Sequence, residues 1–118
     1  MGHMAQYTLR FRQVNRNIFD AIRDGKKKVE TRAHTARYQH SKRGDTLVFV
    51  CGRERFKRRV KRALRFKSIN AMLRVYKAHN INPFVSSKKE LEKIYGSFPG
   101  YKEKIKKFGL IAMELYSK

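Results

Sequence analysis

Residues Leu47 to Cys51 are the longest unbroken apolar run in the sequence, and with Thr46 in front they read Thr-Leu-Val-Phe-Val-Cys. So short a run falls far below the ~20 residues that a membrane-spanning helix needs. Its β-branched and aromatic residues favour an extended strand, and its lack of polar alternation marks a strand buried on both faces, central in a sheet. Gly44-Asp45 is a turn signal before it, and Gly52-Arg53-Glu54-Arg55 turns the chain back into a hairpin after it.

The rest of the chain must supply the sheet around that strand. Tyr7, Leu9 and Phe11 alternate with Thr8, Arg10 and Arg12, a strand with one apolar and one basic face. The return strand of the hairpin, Phe56 to Phe66, carries Phe56, Val60, Leu64 and Phe66 on even positions. Arg58 and Arg62 break that pattern and predict a bulge or an edge position. Val29 and Thr31 favour an extended segment from Lys27 to Arg32, and Leu110 to Tyr116 closes the chain with Ile111, Met113 and Leu115 on one face.

Helices fall between these strands. Asn15 caps a helix through Asp24, with Val14 and Phe19 as a hydrophobic staple, Ile18, Ala21 and Ile22 as its buried face, and Gly25 in the left-handed position that ends it. Ser68 caps a second helix that runs to about Lys77. Ser87-Lys88-Lys89-Glu90 is a capping box opening a third, with Leu91, Ile94 and Tyr95 on one face. Tyr101 to Phe108 adds a helical turn that Gly109 stops, and Ala33 to Arg43, without apolar period, is a loop. Five strands with helices between them, not in strict βαβ alternation, give an α+β fold: a curled mixed sheet or small β-barrel with flanking helices.

At 118 residues the chain is one domain's worth. The leader Met1-Gly2-His3-Met4 reads as a cloning scar, which leaves 5–118 as a single domain. Thirty Lys+Arg against nine Asp+Glu give a formal charge of +21, a self-repulsion that a bound polyanion relieves. The bases are interleaved with apolar residues through most of the chain, so they belong to a folded surface and point to a nucleic-acid partner. A generally basic surface unrelated to nucleic acid is the competing reading. The single Cys51 excludes an intrachain disulfide and packs as a small hydrophobe. No membrane span or secretory segment is evident, and a soluble cytoplasmic protein, monomer or weak dimer, is expected. His34, His40 and His79 share no ligand spacing with Cys51, so neither a metal nor a cofactor is expected. Ser86 and Ser87 suit helix capping better than nucleophilic chemistry.

Gly25-Lys26-Lys27-Lys28-Val29-Glu30-Thr31-Arg32 ends a helical pattern, begins an extended one, and sets one acid among bases. Its spacing, G-x-K-x-x-E-x-R, resembles the signature of the ASCH domain family of PUA-like barrels. The order of elements, from the first strand to a closing strand beginning Gly-Leu-Ile, is similar to that family over nearly the whole chain. The resemblance implies a PUA-like fold and binding of nucleic acid, RNA favoured over DNA. Some small ASCH proteins resemble hydrolases that deacylate modified cytidine or cleave RNA, and in the amide-hydrolase branch a lysine in the position of Lys27 is catalytic. That branch has a threonine where this chain has Glu30, and a further carboxylate downstream. Here the only acid between Asp45 and Glu90 is Glu54, in a turn. On the enzymatic reading Lys27 is nucleophile or base, Glu30 its proton-transfer partner and Arg32 the substrate-positioning group. A neutral lysine requires its pKa of ~10.4 to fall through burial or neighbouring positive charge. Strict alternation puts Lys27 with Val29 and Thr31 but Glu30 and Arg32 on the other face, so a shared cleft needs a twist or bulge. The plain alternative pairs Glu30 with Arg32 or Lys28 on a solvated face.

For nucleic acid the candidate surface combines Lys57, Arg59, Lys61 and Arg65 of the basic strand with Arg37, Tyr38, Lys42 and Arg43 of the loop. Tyr38 either stacks on an unpaired base while the cations hold phosphates, or packs down on the sheet. The basic strand is equally explained as an edge defended by charge against aggregation.

Overall fold

The computed structural model describes residues 4–117, so of the expected leader only Met4 falls within the described residues. The elements are β1 (Gln6–Phe11), α1 (Arg16–Arg23), β2 (Val29–Ala33), β3 (Thr46–Cys51), β4 (Glu54–Phe66), α2 (Ile69–Leu73), α3 (Ala78–Ile81), α4 (Lys88–Gly96), α5 (Tyr101–Phe108) and β5 (Leu110–Leu115). The five strands form one curled sheet in the order β1-β3-β4-β5-β2. β1 lies parallel to β3 and every other pairing is antiparallel. The result is an α+β half-barrel whose two edges, β1 and β2, do not pair.

β4 governs the curl. Its first half pairs with β3 and its second half with β5, so it lies at the centre of the sheet and is not the edge strand that its charge suggested. The expected bulge is present: Val60 faces Leu115 and Arg62 faces Glu114, which leaves Lys61 without a partner in the register. One extra residue inverts the facing of everything beyond it. Before the bulge Phe56 and Val60 turn to the concave side. After it Ala63 does so, while Leu64 and Phe66 turn outward under the helices.

Two apolar cores follow. The concave side holds Leu9, Leu47, Phe49, Val60, Ile111 and Met113, with Phe19 and Ile22 of α1 laid across them. On the other side Val29, Ala33, Leu110 and Ala112 pack against Met72, Leu91, Tyr95 and Ile105 from the later helices. β5 therefore contributes alternate residues to both cores, which is why its whole first half is buried.

Several local expectations are corrected. Asn15 occupies the N-cap position of α1 but its side chain makes no capping hydrogen bond, and a short 3-10 turn, Gln13–Asn15, leads into the helix instead. Val14 is 74% exposed while Phe19 is fully buried, so no staple joins them. Ser68 does cap α2, accepting from Ala71 N, yet the helix stops at Leu73 and the chain resumes helical form only at Ala78. Ser87 caps α4 as expected; Glu90, rather than reaching back to the backbone, accepts the hydroxyls of Ser86 and Ser87. No helix among the described residues is long and apolar enough to cross a membrane.

Candidate functional site

An unpaired strand edge leaves backbone donors and acceptors without partners. The ladder between β2 and β5 runs from Leu115 N donating to Lys28 O at one end to His34 N donating to Gly109 O at the other. The even-numbered residues of β2 therefore face β5, and the backbone groups of Val29, Thr31 and Ala33 face the opening towards β1. Side chains satisfy that edge. Lys27 Nζ donates to Val29 O at 2.6 Å, Thr31 N donates to Glu30 Oε1 at 3.0 Å, and Ala33 N donates to the Tyr101 hydroxyl at 2.7 Å.

The same residues form a buried charge cluster. Gly25, at φ 80°, ends α1, and Lys26 N and Lys27 N both donate to Ala21 O, so the chain doubles back before β2 begins. Lys27 thus precedes the strand instead of belonging to it, and the alternation that separated it from Glu30 does not apply. Its Nζ lies 3.5 Å from Glu30 Oε1 and also donates to Ile81 O. Three N–H groups meet three acceptors. Arg32 Nη2 sits 3.4 Å from Glu30 Oε2, its guanidinium 5.8 Å from the Phe11 ring across the opening. Glu30 and Lys27 are buried at 4% and 5% exposure, which removes the solvated-face reading of this stretch.

Burial pushes the Lys27 ammonium below its ordinary value, and the positive charge of Arg32 adds to that against the pull of Glu30. Burial alone would raise Glu30; Lys27, Arg32 and the Thr31 N–H outweigh it and hold the carboxyl below the usual range. Burial likewise opposes the charge on Arg32, and Glu30 more than restores it. Only Arg32 keeps exposed surface, 30% of its side chain, while its Nε is buried and has no hydrogen-bond partner among the described residues.

Arg32 reaches into a cleft of about 590 Å³ between the two sheet edges. Lys27, Glu30, Thr31 and Arg32 form its floor, Tyr95, Phe98 and Tyr101 one wall, and Arg10, Phe11 and Arg12 the opposite rim. Tyr95 and Tyr101 stack at 5.9 Å with 21° between their planes, and the Tyr95 hydroxyl is hydrogen-bonded to Thr31 Oγ1. Burial holds both phenols above their ordinary value, so they stay protonated at neutral pH. Val14 and Phe84, 74% and 56% exposed, stand on the lips. Glu30 is the only carboxylate among the described residues that line the cleft. Tyr95 is core, as the sequence predicts; Phe98 and Tyr101 beside it were missed, and their signal is the spacing of Tyr95, Phe98 and Tyr101, three residues apart each time.

The predicted nucleic-acid residues do not form one surface. Lys57 and Arg59 are exposed on the outer face of the sheet, but the bulge sends Arg65 to the opposite face. There Arg65 donates to His34 Nε2, Gln39 O and Ser41 O and so fastens the loop to β4. Lys61, at the bulge, is 3.8 Å from Glu114. Arg37 donates to Thr8 O and lies over the Tyr38 ring. Tyr38 is 5% exposed and packs 5.6 Å from Tyr7, so of its two readings the packed one holds and the ring is not offered to a base. Lys42 Nζ is 3.7 Å from the buried Asp45, whose carboxylate accepts from Ala5 N and Lys42 N, and Arg43 is exposed.

No family model matches the sequence, and no curated protein does. Solved structures do. The chain is similar to the crystal structure of hypothetical protein PH0355, with a TM-score of 0.77 and 28% identity over 93% of this chain and 96% of that one. It is also similar to the solution NMR structure of protein PF0455 from Pyrococcus furiosus, with a TM-score of 0.70 and 29% identity over 96% of each chain.

Proposed function

We propose that this protein is a cytoplasmic RNA-binding module of the ASCH-like type, and that its cleft receives one unpaired nucleobase. The observation that carries this reading is Arg32, held by Glu30 at the floor of a cleft where the half-buried Phe98 and Tyr101 form an aromatic wall. A planar guanidinium with free donors recognises acceptors on a base edge, and aromatic walls accept a base face. Base pairing would keep such a base out of the cleft, so single-stranded or looped RNA fits the site better than a duplex.

The hydrolase alternative is less well supported. A nucleophilic or basic lysine needs a free lone pair within reach of substrate. Lys27 is buried and its three donors are directed at Val29 O, Ile81 O and Glu30. No second carboxylate is available to share proton transfer among the residues that line the cleft.

Fluorescence anisotropy with a panel of short single-stranded RNAs tests the reading. Arg32→Gln should remove a charge-assisted hydrogen bond, about 1.5–3 kcal/mol and so about 10-fold or more in affinity, and should erase the preference among bases. Glu30→Gln should lose the same preference while keeping bulk affinity, because phosphate attraction does not depend on a fixed acceptor. Unchanged base preference in both variants refutes the cleft as the recognition site. Turnover of acylated cytidine or RNA that is lost in Lys27→Ala and kept in Lys26→Ala would replace the module with an enzyme.

A further inference from the structure

We infer that the outer face of β1, β3 and β4 is the surface that holds the sugar–phosphate backbone of the RNA, a deepening that rests on the proposed RNA partner. The register places Gln6, Thr8 and Arg10 of β1 beside Thr46, Val48 and Val50 of β3, which lie beside Arg59, Lys57 and Arg55 of β4. These positions share the face opposite Leu9, Leu47, Phe49 and Phe56. Val48 and Val50 belong to neither apolar core, yet they are 4% and 7% exposed. The aliphatic stems of their long cross-strand neighbours cover them and leave the charged heads in solvent.

Partnering distinguishes these cations from the basic residues of α1 and from the rest of β4, and the absence of acids distinguishes the face from α5, where Glu103 stands among the lysines. Arg16, Arg23, Lys61 and Arg62 are ion-paired with carboxylates, and Arg37, Arg58 and Arg65 donate to backbone carbonyls. Arg10, Arg55, Lys57 and Arg59 are exposed and have no side-chain hydrogen bond or ion pair among the described residues. No acid occupies any position of the face. Cations already paired with carboxylates release little on meeting a phosphate, whereas unpaired ones release their own repulsion as well as the counterions of the RNA.

The face is continuous with the cleft. Arg10 stands opposite Val50 on the outer face and also lines the cleft, where Arg12 follows it. A single strand laid on the outer face therefore reaches the opening by crossing β1, with cations along its route.

The test compares two triple substitutions of equal charge change in the full chain. One is Arg55→Gln, Lys57→Gln and Arg59→Gln on the outer face; the other is Lys102→Gln, Lys104→Gln and Lys106→Gln on α5. Binding of a roughly 12-nucleotide oligouridylate is followed as a function of salt, with heparin as a second polyanion. The outer-face variant should lower the log–log salt slope by about 2, at ~0.7 per phosphate contact on a single strand, which is about 100-fold in affinity near 0.1 M salt. The α5 variant should stay close to the parent. Equal losses in the two variants, or an unchanged slope in the first, would overturn the assignment, as would a parent that prefers heparin to RNA. Base preference reports on the cleft separately: its loss in Arg32→Gln with an intact slope, and its retention in the outer-face variant, keep the two readings distinguishable.

Discussion

Replacing Lys27 by Met keeps an unbranched stem of similar bulk and removes only the ammonium. Three partners then lose their donor: Val29 O, Ile81 O and the carboxylate of Glu30, which is 4% exposed. Removing one member of a buried ion pair costs about 3–5 kcal/mol because the other charge is left uncompensated. Arg32 remains 3.4 Å from Glu30, which places the loss at the lower end of that range. For a domain of this size each kcal/mol shifts the melting temperature by roughly 4 °C, so a fall of about 12 °C is expected. Urea titration should show a lower midpoint at an unchanged m value. Adding Glu30→Gln to Lys27→Met removes the stranded charge and should recover part of the loss, a coupling of about 0.5–3 kcal/mol. A lysine kept for catalysis behaves in the opposite way, since removing it commonly leaves stability unchanged or raised. Lys27→Met within about 1 kcal/mol of the parent, or a double variant as unstable as the sum of its parts, would refute the edge-capping role.

Two further outcomes follow from burial and titration. Met113→Ala should cost about 2–5 kcal/mol in a chemical melt because it opens a cavity in the concave core, whereas Val48→Ala should cost less, its outer-face neighbours being flexible stems that collapse onto the gap. Since the folded Glu30 carboxyl titrates below its unfolded value of ~4.3, it contributes stability at neutral pH that is lost as pH falls through the folded pKa. Urea midpoints from neutral pH downward should therefore fall more steeply in the parent than in Glu30→Gln, and parallel curves would contradict this.

What the sequence made legible is what depends on one strand or helix at a time. β1, β3 and β5 were readable from periodicity, because burying one face or both imposes a pattern on a single segment. Arg58 and Arg62 announced the bulge in β4 for the same reason. What the bulge does was not readable: whether a basic residue beyond it shares a face with Lys57 depends on which strands flank β4, and neighbours in a sheet are a tertiary fact. Charge alone therefore left an edge position open for β4, although it pairs on both sides, and grouped Arg65 with Arg59, although they face opposite ways. Tyr38 failed to declare itself because a lone aromatic in a polar loop has no period. Val14 preceded a capping residue and looked like a staple, but the 3-10 turn rotates it to the lip of the cleft.

The signature itself was visible, yet its principal work is architectural. A closed barrel would satisfy Val29, Thr31 and Ala33 with the backbone of β1, and no cleft would exist between them. Here Lys27, Glu30 and Tyr101 take the place of that strand, so the edge is satisfied while the gap stays open. A buried ionic cluster contributes little net stability compared with apolar packing of the same volume. Its presence is better explained by geometry: side chains end the sheet where a sixth strand or a β1–β2 ladder would seal it. Once Glu30 is fixed by the edge, it fixes Arg32 in turn, and Arg32 is the one member with surface to present. The residues that stop the sheet from closing are thus the ones that aim a guanidinium into the opening, which makes the cleft and the charge at its floor a single consequence of one unpaired strand edge.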